Sequence, residues 1–175
     1  MGGKATVKKW NGMNWVNLGM PGFSNASVSN TNIKVDTMGN PYVSYLESSK
    51  TIVKKYNNVT NFWDDVATSS LPQSREVTLA IDSNNVPHLA LRDVLNGDKL
   101  TVMAYNDLLK KWELVGPTAG FSAGTVGNLS LAFSSNNIPE VAFSDGSQAG
   151  KVTVMYFEGI GWVNSGNPGF SSGRA

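Results

Sequence analysis

L-A-F-S-S-N-N-I-P-E-V-A-F-S-D (131–145), followed by V-T-V-M-Y-F-E-G-I-G-W-V-N-S-G (152–166), decides how the rest of the chain is read. In the first half, two short apolar runs flank S-S-N-N-I-P. Asn and Ser before a proline make a tight polar turn, so this half reads as a hairpin. In the second half, Thr153 to Tyr156 alternates, E-G-I-G interrupts, and Trp162-Val163 resumes. Glycine supplies the positive φ that such a hairpin tip needs. One such pair of hairpins is a four-stranded antiparallel unit.

The unit recurs. The first half is echoed by I-K-V-D-T-M-G-N-P-Y-V-S-Y-L-E (33–47) and L-A-I-D-S-N-N-V-P-H-L-A-L-R-D (79–93), with Pro41, Pro87 and Pro139 in register. The second half is echoed by A-T-V-K-K-W-N-G-M-N-W-V-N-L-G (5–19), T-I-V-K-K-Y-N-N-V-T-N-F-W-D-D-V (51–66) and L-T-V-M-A-Y-N-D-L-L-K-K-W-E-L-V-G (100–116). Its anchors Trp15, Trp63, Trp112 and Trp162 stand 48, 49 and 50 residues apart. The seven hairpins predict an all-β chain of about 14 strands, and no window carries an apolar stripe of helical period.

A repeat of about 50 residues holding four antiparallel strands is the size of a β-propeller blade. The half rich in small and apolar residues (Val77-Thr78-Leu79-Ala80-Ile81) is read as the inner hairpin, and the half rich in Trp, Tyr and Lys as the outer one. Blades stack face to face, which accounts for apolar runs where a half-exposed strand would alternate. The links between blades carry P-G-F-S (21–24), S-L-P-Q-S (70–74), A-G-F-S-A-G (119–124) and P-G-F-S-S-G (168–173). Phe23, Phe121 and Phe170 are expected to plug neighbouring blades, with Leu71 in their place in the second copy.

The expected organisation is a single partial propeller over 1–175. An orphan outer hairpin and link occupy 1–24, blades follow at 25–69, 70–118 and 119–167, and a C-terminal link takes 168–175. Four outer and three inner hairpins give three complete blades and an N-terminal half-blade. An outer hairpin at both ends cannot close a ring within one chain, and three blades would leave faces and edges bare. Two readings follow: a segment of a longer propeller, or a homo-oligomer, a dimer foremost, that closes the ring between chains.

The motifs resemble propeller repeats of large secreted or surface-attached bacterial proteins, over nearly the whole chain from Lys4 to Gly173. That resemblance implies an extracellular or cell-surface setting and a binding or scaffold role, with carbohydrate or protein as ligand.

Composition narrows the partners. Lys plus Arg is 14 and Asp plus Glu is 13, a net charge of +1, with no block of five like charges. Such a chain has no basic stripe for phosphates, so nucleic acid is not an expected partner. No apolar run approaches a membrane span. The start of the chain has no apolar segment of the signal-peptide kind. Met1-Gly2-Gly3-Lys4-Ala5-Thr6 loosely fits a myristoylation pattern, or a leader remnant. Without Cys and with one His, thiolate metal sites and a Ser-His-Asp triad have little to draw on, and no metal or cofactor is expected. G-F-S-A-G (120–124) has the letters of a nucleophile elbow but sits in a repeated link with no following helix.

The recurring acids Glu47, Asp93 and Asp145 follow the second strand of each inner hairpin. They are read either as turn caps or as ligand acceptors on one rim of the ring. Asp36 and Asp82 recur in the inner turn, with Ser134 in the third copy. The recurring aromatics suit either packing between blades or stacking on sugar rings. The expectation is a non-catalytic binding or scaffold module. The alternatives are a glycosidase-like propeller enzyme and a structural fragment with no ligand.

Overall fold

The computed structural model describes residues 3–175, so the Met1-Gly2 start of the myristoylation pattern lies outside the described residues. Strands β1 (Lys8–Trp10) and β2 (Trp15–Asn17) pair alone. Three four-stranded antiparallel sheets follow. The first holds β3 (Val28–Val35), β4 (Pro41–Glu47), β5 (Lys50–Asn57) and β6 (Phe62–Asp65). The second holds β7 (Ser74–Ile81), β8 (Pro87–Asp93), β9 (Lys99–Asn106) and β10 (Lys111–Leu114). The third holds β11 (Val126–Phe133), β12 (Pro139–Asp145), β13 (Lys151–Phe157) and β14 (Trp162–Asn164). Each sheet keeps chain order, so the chain is all-β, with fourteen strands among the described residues. The architecture is that of propeller blades, three complete and one outer half.

Local chemistry sets the inner turns. The Asp36 carboxylate accepts from the Met38 and Asn40 amides at 3.0 and 2.7 Å, and Asp82 accepts from Asn84 and Val86 at 2.9 and 2.8 Å. Ser134 does the same through its hydroxyl, with Ile138 at 3.2 Å. Asn85 and Asn137 take positive φ (64° and 60°), a conformation asparagine tolerates better than most residues. Pro41, Pro87 and Pro139 open the next strand at the end of the ladder, where a missing N–H costs least.

The sheets stack on their faces. Leu89 and Leu91 of β8 pack toward the first sheet and Ala90 between them packs toward the third; all three are fully buried. Burial on both faces is what the apolar runs require. The β1–β2 hairpin packs on the first sheet through Ala5, Val7 and Leu18, against Val43, Tyr45 and Trp63. Among the described residues no inner strands pair with it. As a result Ile33 and Val35 on the front of β3 are 50% and 58% exposed, while Leu79 and Leu131 at the position of Ile33 are 0% and 5% exposed.

Candidate functional site

The tryptophans are joints between units. Trp63 donates its indole N–H to the Leu18 carbonyl at 3.0 Å, Trp112 to Val66 at 2.9 Å, and Trp162 to Val115 at 2.7 Å. Each acceptor lies just after the outer hairpin of the preceding unit. Gly19 and Gly116 follow two of these acceptors at positive φ (74° and 107°). A Cβ there would meet the Trp63 and Trp162 rings at 3.0 and 3.3 Å. Phe23 stacks on Trp63, with centroids 5.0 Å apart, and Phe121 stacks on Trp162 at 4.8 Å. Leu71 packs in the cluster that holds Trp112. Trp15 and Phe170, the outermost members of the series, are 64% and 60% exposed.

The three recurrent acids end the second strands of three different sheets. Asp93, 1% exposed, accepts from the Leu95 amide, the Asn96 amide group and the Thr101 hydroxyl at 3.0, 2.8 and 2.9 Å. Asp145, 3% exposed, accepts from the Ser147 amide and hydroxyl and from Thr153 at 2.9, 2.6 and 2.9 Å. Glu47 accepts from the Ala26 amide at 2.8 Å. Asp93 and Asp145 make the contacts of turn caps, whereas Glu47 holds the link that precedes its sheet. Of the three arginines, Arg75 and Arg92 both reach Asp98, at 2.9 and 3.2 Å, and Arg174 lines a groove with Glu76 and Arg92.

A different set of side chains converges between the first and second sheets. Pairing places Tyr42 of β4 opposite Lys55 of β5, and Lys55 opposite Asp64 of β6. Paired residues share a face, so an aromatic ring, an ammonium and a carboxylate form one row. Tyr105 of the second sheet joins them in a groove of about 520 Å³, with Asn40 and Asp107 also in its lining. The Lys55 ammonium sits 5.0 Å over the Tyr42 ring, a cation–π contact that fixes the amine. Asn57 donates to Asp64 at 2.9 Å. Tyr105 is half-buried and braced against Trp112, ring centroids 5.5 Å apart.

The equivalent rows differ. The second sheet has His88, Ala104 and Glu113 there, and the third has Glu140, Tyr156 and Val163. Between the second and third sheets, His88 packs edge-on against Phe133 at 4.8 Å. Burial holds the His88 imidazole below its ordinary pKa, against the smaller opposing effects of the Val86 carbonyl and Asp82. The first row was not picked out from the sequence, because its members are spread over three strands and do not recur. The signal lay in where the copies disagree.

No group of three or more His, Cys, Asp and Glu side chains able to hold a metal occurs among the described residues. No described helix is long and apolar enough to cross a membrane.

Comparison with solved structures places this architecture among β-propellers. A fucose lectin from Kordia zhangzhouensis, in complex with methyl-fucoside, matches with a TM-score of 0.51 and 14% identity over 79% of this chain and 99% of that one. The GH93 α-L-arabinofuranosidase of Fusarium graminearum, solved with arabinobiose, matches with a TM-score of 0.52 and 10% identity over 87% of this chain. That match covers 52% of the enzyme, so this chain spans about half of its length. At such identities the likeness establishes fold alone. No protein-family model matches the sequence, and no curated protein matches it.

Proposed function

We propose that this chain is a non-catalytic, carbohydrate-binding propeller module that completes its ring by associating with a second copy. The observation that carries the carbohydrate reading is the groove where Tyr42, Lys55 and Asp64 stand in one row with Tyr105 beside them. Tyr42 is buried beneath Lys55, so the partly exposed Tyr105 is the ring that offers a face to the C–H side of a pyranose, while amine, amide and carboxylate groups bond its hydroxyls. The mixed charge suits a neutral, hydroxyl-rich glycan. The fucose lectin bears on this only as a propeller of similar extent with a sugar ligand.

The non-catalytic reading rests on the acids. Glycoside hydrolysis takes two carboxyl groups flanking the bond, one kept protonated in an apolar pocket. Asp64, Asp65 and Asp107 at the groove are exposed, and Asp65 is ion-paired with Lys54 at 2.9 Å. The buried acids Asp36, Asp82, Asp93 and Asp145 are each engaged by amides of their own turns.

A glycan array with the wild type and Tyr105→Ala tests the proposal. The expected result is binding to a subset of neutral glycans, weakened ~10-fold or more in the variant, as loss of one stacking ring implies. Binding to no glycan, or binding indifferent to Tyr105, overturns the carbohydrate reading. Cleavage of a bound glycan overturns the non-catalytic one.

A further inference from the structure

We propose that the exposed Trp15 of one copy is capped by the C-terminal link of a second copy. Phe170 stacks on the indole ring and the Ser165 carbonyl accepts the indole N–H. This rests on the self-association proposed above and identifies its seam.

The joint is built three times within the chain. In each, the accepting carbonyl belongs to the third residue after the previous tryptophan of the series: Leu18, Val66 and Val115. Counting three on from Trp162 gives Ser165. In each, the next residue turns at positive φ: Gly19 at 74°, Ala67 at 46° and Gly116 at 107°. Gly166, after Ser165, is at 82°. A Cβ on Gly19 or Gly116 would press on an indole, whereas one on Gly166 would meet nothing within 4 Å. The place of the indole there is open.

The link carrying Phe170 is already shaped. The Phe170 amide donates to Val152 O at 3.0 Å, as those of Phe23 and Phe121 do to Ala5 and Leu100 at the same distance. Ser171 accepts from the Val152 amide at 3.0 Å and donates to Gly173 O at 2.6 Å. Ser24 and Ser122 hold the other two phenylalanine-bearing links in the same way. A preformed link loses little conformational freedom on docking.

The faces agree as well. The open face of the third sheet presents Ala132, Ala142 and Val154, at least partly exposed. The matching Ala80, Ala90 and Val102 of the second sheet are 5%, 0% and 1% exposed beneath the third. On the other side, Trp15 at 64% exposure stands 5.9 Å from Trp10 at 51%, where Trp63 and Trp112 in formed joints are 7% and 3% exposed. The hairpin packs on the first sheet, the first sheet on the second and the second on the third. The two half-joints therefore lie at opposite ends of the row. The contact is head-to-tail, and two copies of four blade positions make a ring of eight, within the usual range of four to eight.

Light scattering at micromolar concentration, with photo-crosslinking from benzoylphenylalanine at position 170, tests the seam. The wild type is expected at twice 18.7 kDa. Crosslinks should join labelled and unlabelled copies at peptides spanning residues 8–17. Trp15→Ala and Phe170→Ala alone should run as monomers or weakened dimers. Mixed, they should regain association, because each supplies the half-joint that the other lacks. A monomeric wild type overturns both the self-association and the seam. A dimer unaffected by Phe170→Ala, or crosslinked elsewhere, overturns the seam and leaves self-association standing. Far-UV circular dichroism and a cooperative thermal melt of Phe170→Ala check that the variant is folded.

Discussion

His88 is the single histidine of the chain, and its surroundings make a pH experiment clean. Packed against Phe133, it is held below its ordinary pKa by burial. The unfolded chain binds a proton near pH 6.5 while the folded chain resists it. Between those values the unfolded state carries more protons, so the contribution to stability is complete above about pH 6.5 and is lost as pH falls toward the folded value. His88→Tyr, the residue of the first copy, removes this contribution. Urea midpoints at pH 8 and pH 5 should show the wild type losing more stability on acidification than the variant; equal losses would refute the assignment. Single residues were legible in the sequence where they recur, as the tryptophans do. The bond each indole makes was not, because its acceptor lies about 46 residues back in another unit. Nor did recurrence separate capping from binding for Glu47, Asp93 and Asp145, since a repeated turn and a repeated site leave the same spelling. The contacts of Asp93 and Asp145 with Thr101 and Thr153 are what turning and strand pairing bring together.

Among elements, the inner turns are where one sheet grips the next. Asn137 accepts from the Ser83 amide at 2.8 Å and donates to Asp82 at 3.2 Å, and Asn85 accepts from Thr37 amide and hydroxyl, both at 2.8 Å. In the first sheet the same position is Gly39, at φ 83°, and among the described residues the β1–β2 hairpin beside that sheet carries no inner turn for it to reach. Asn137→Gly keeps the backbone conformation and removes only the side-chain bonds. It should cost about 1–2 kcal/mol in chemical denaturation, the scale of one or two net hydrogen bonds. A change within a few tenths would mean that these bonds are idle. Strand positions were legible because short apolar runs alternate with turn residues. The irregularity in the inner strands, a register shift between Ser29 and Asn32, Ser74 and Glu76, and Gly127 and Ser130, was not. Only Asn30 and Asn128 mark it with positive φ (52° each), and an Asn within a strand-like run has no single meaning.

At the scale of the molecule, the repeat divides labour unevenly. What is kept in every copy, the turn caps and the aromatic joints, builds a stack of sheets. What differs between copies shapes the grooves between them. The row Tyr42, Lys55 and Asp64 has no counterpart of the same chemistry in the second or third sheet, where Ala104 and Val163 stand in the equivalent rows. The propeller architecture was therefore readable from the repeat, while the groove needed the strand register that sets those side chains in line. A module of this kind should carry one saccharide site per chain, not one per blade. Calorimetric titration with a glycan selected on the array measures this directly. The account predicts one site per chain in the wild type, with affinity lost in Tyr105→Ala. Three equivalent sites per chain, or undiminished binding by the variant, would contradict it.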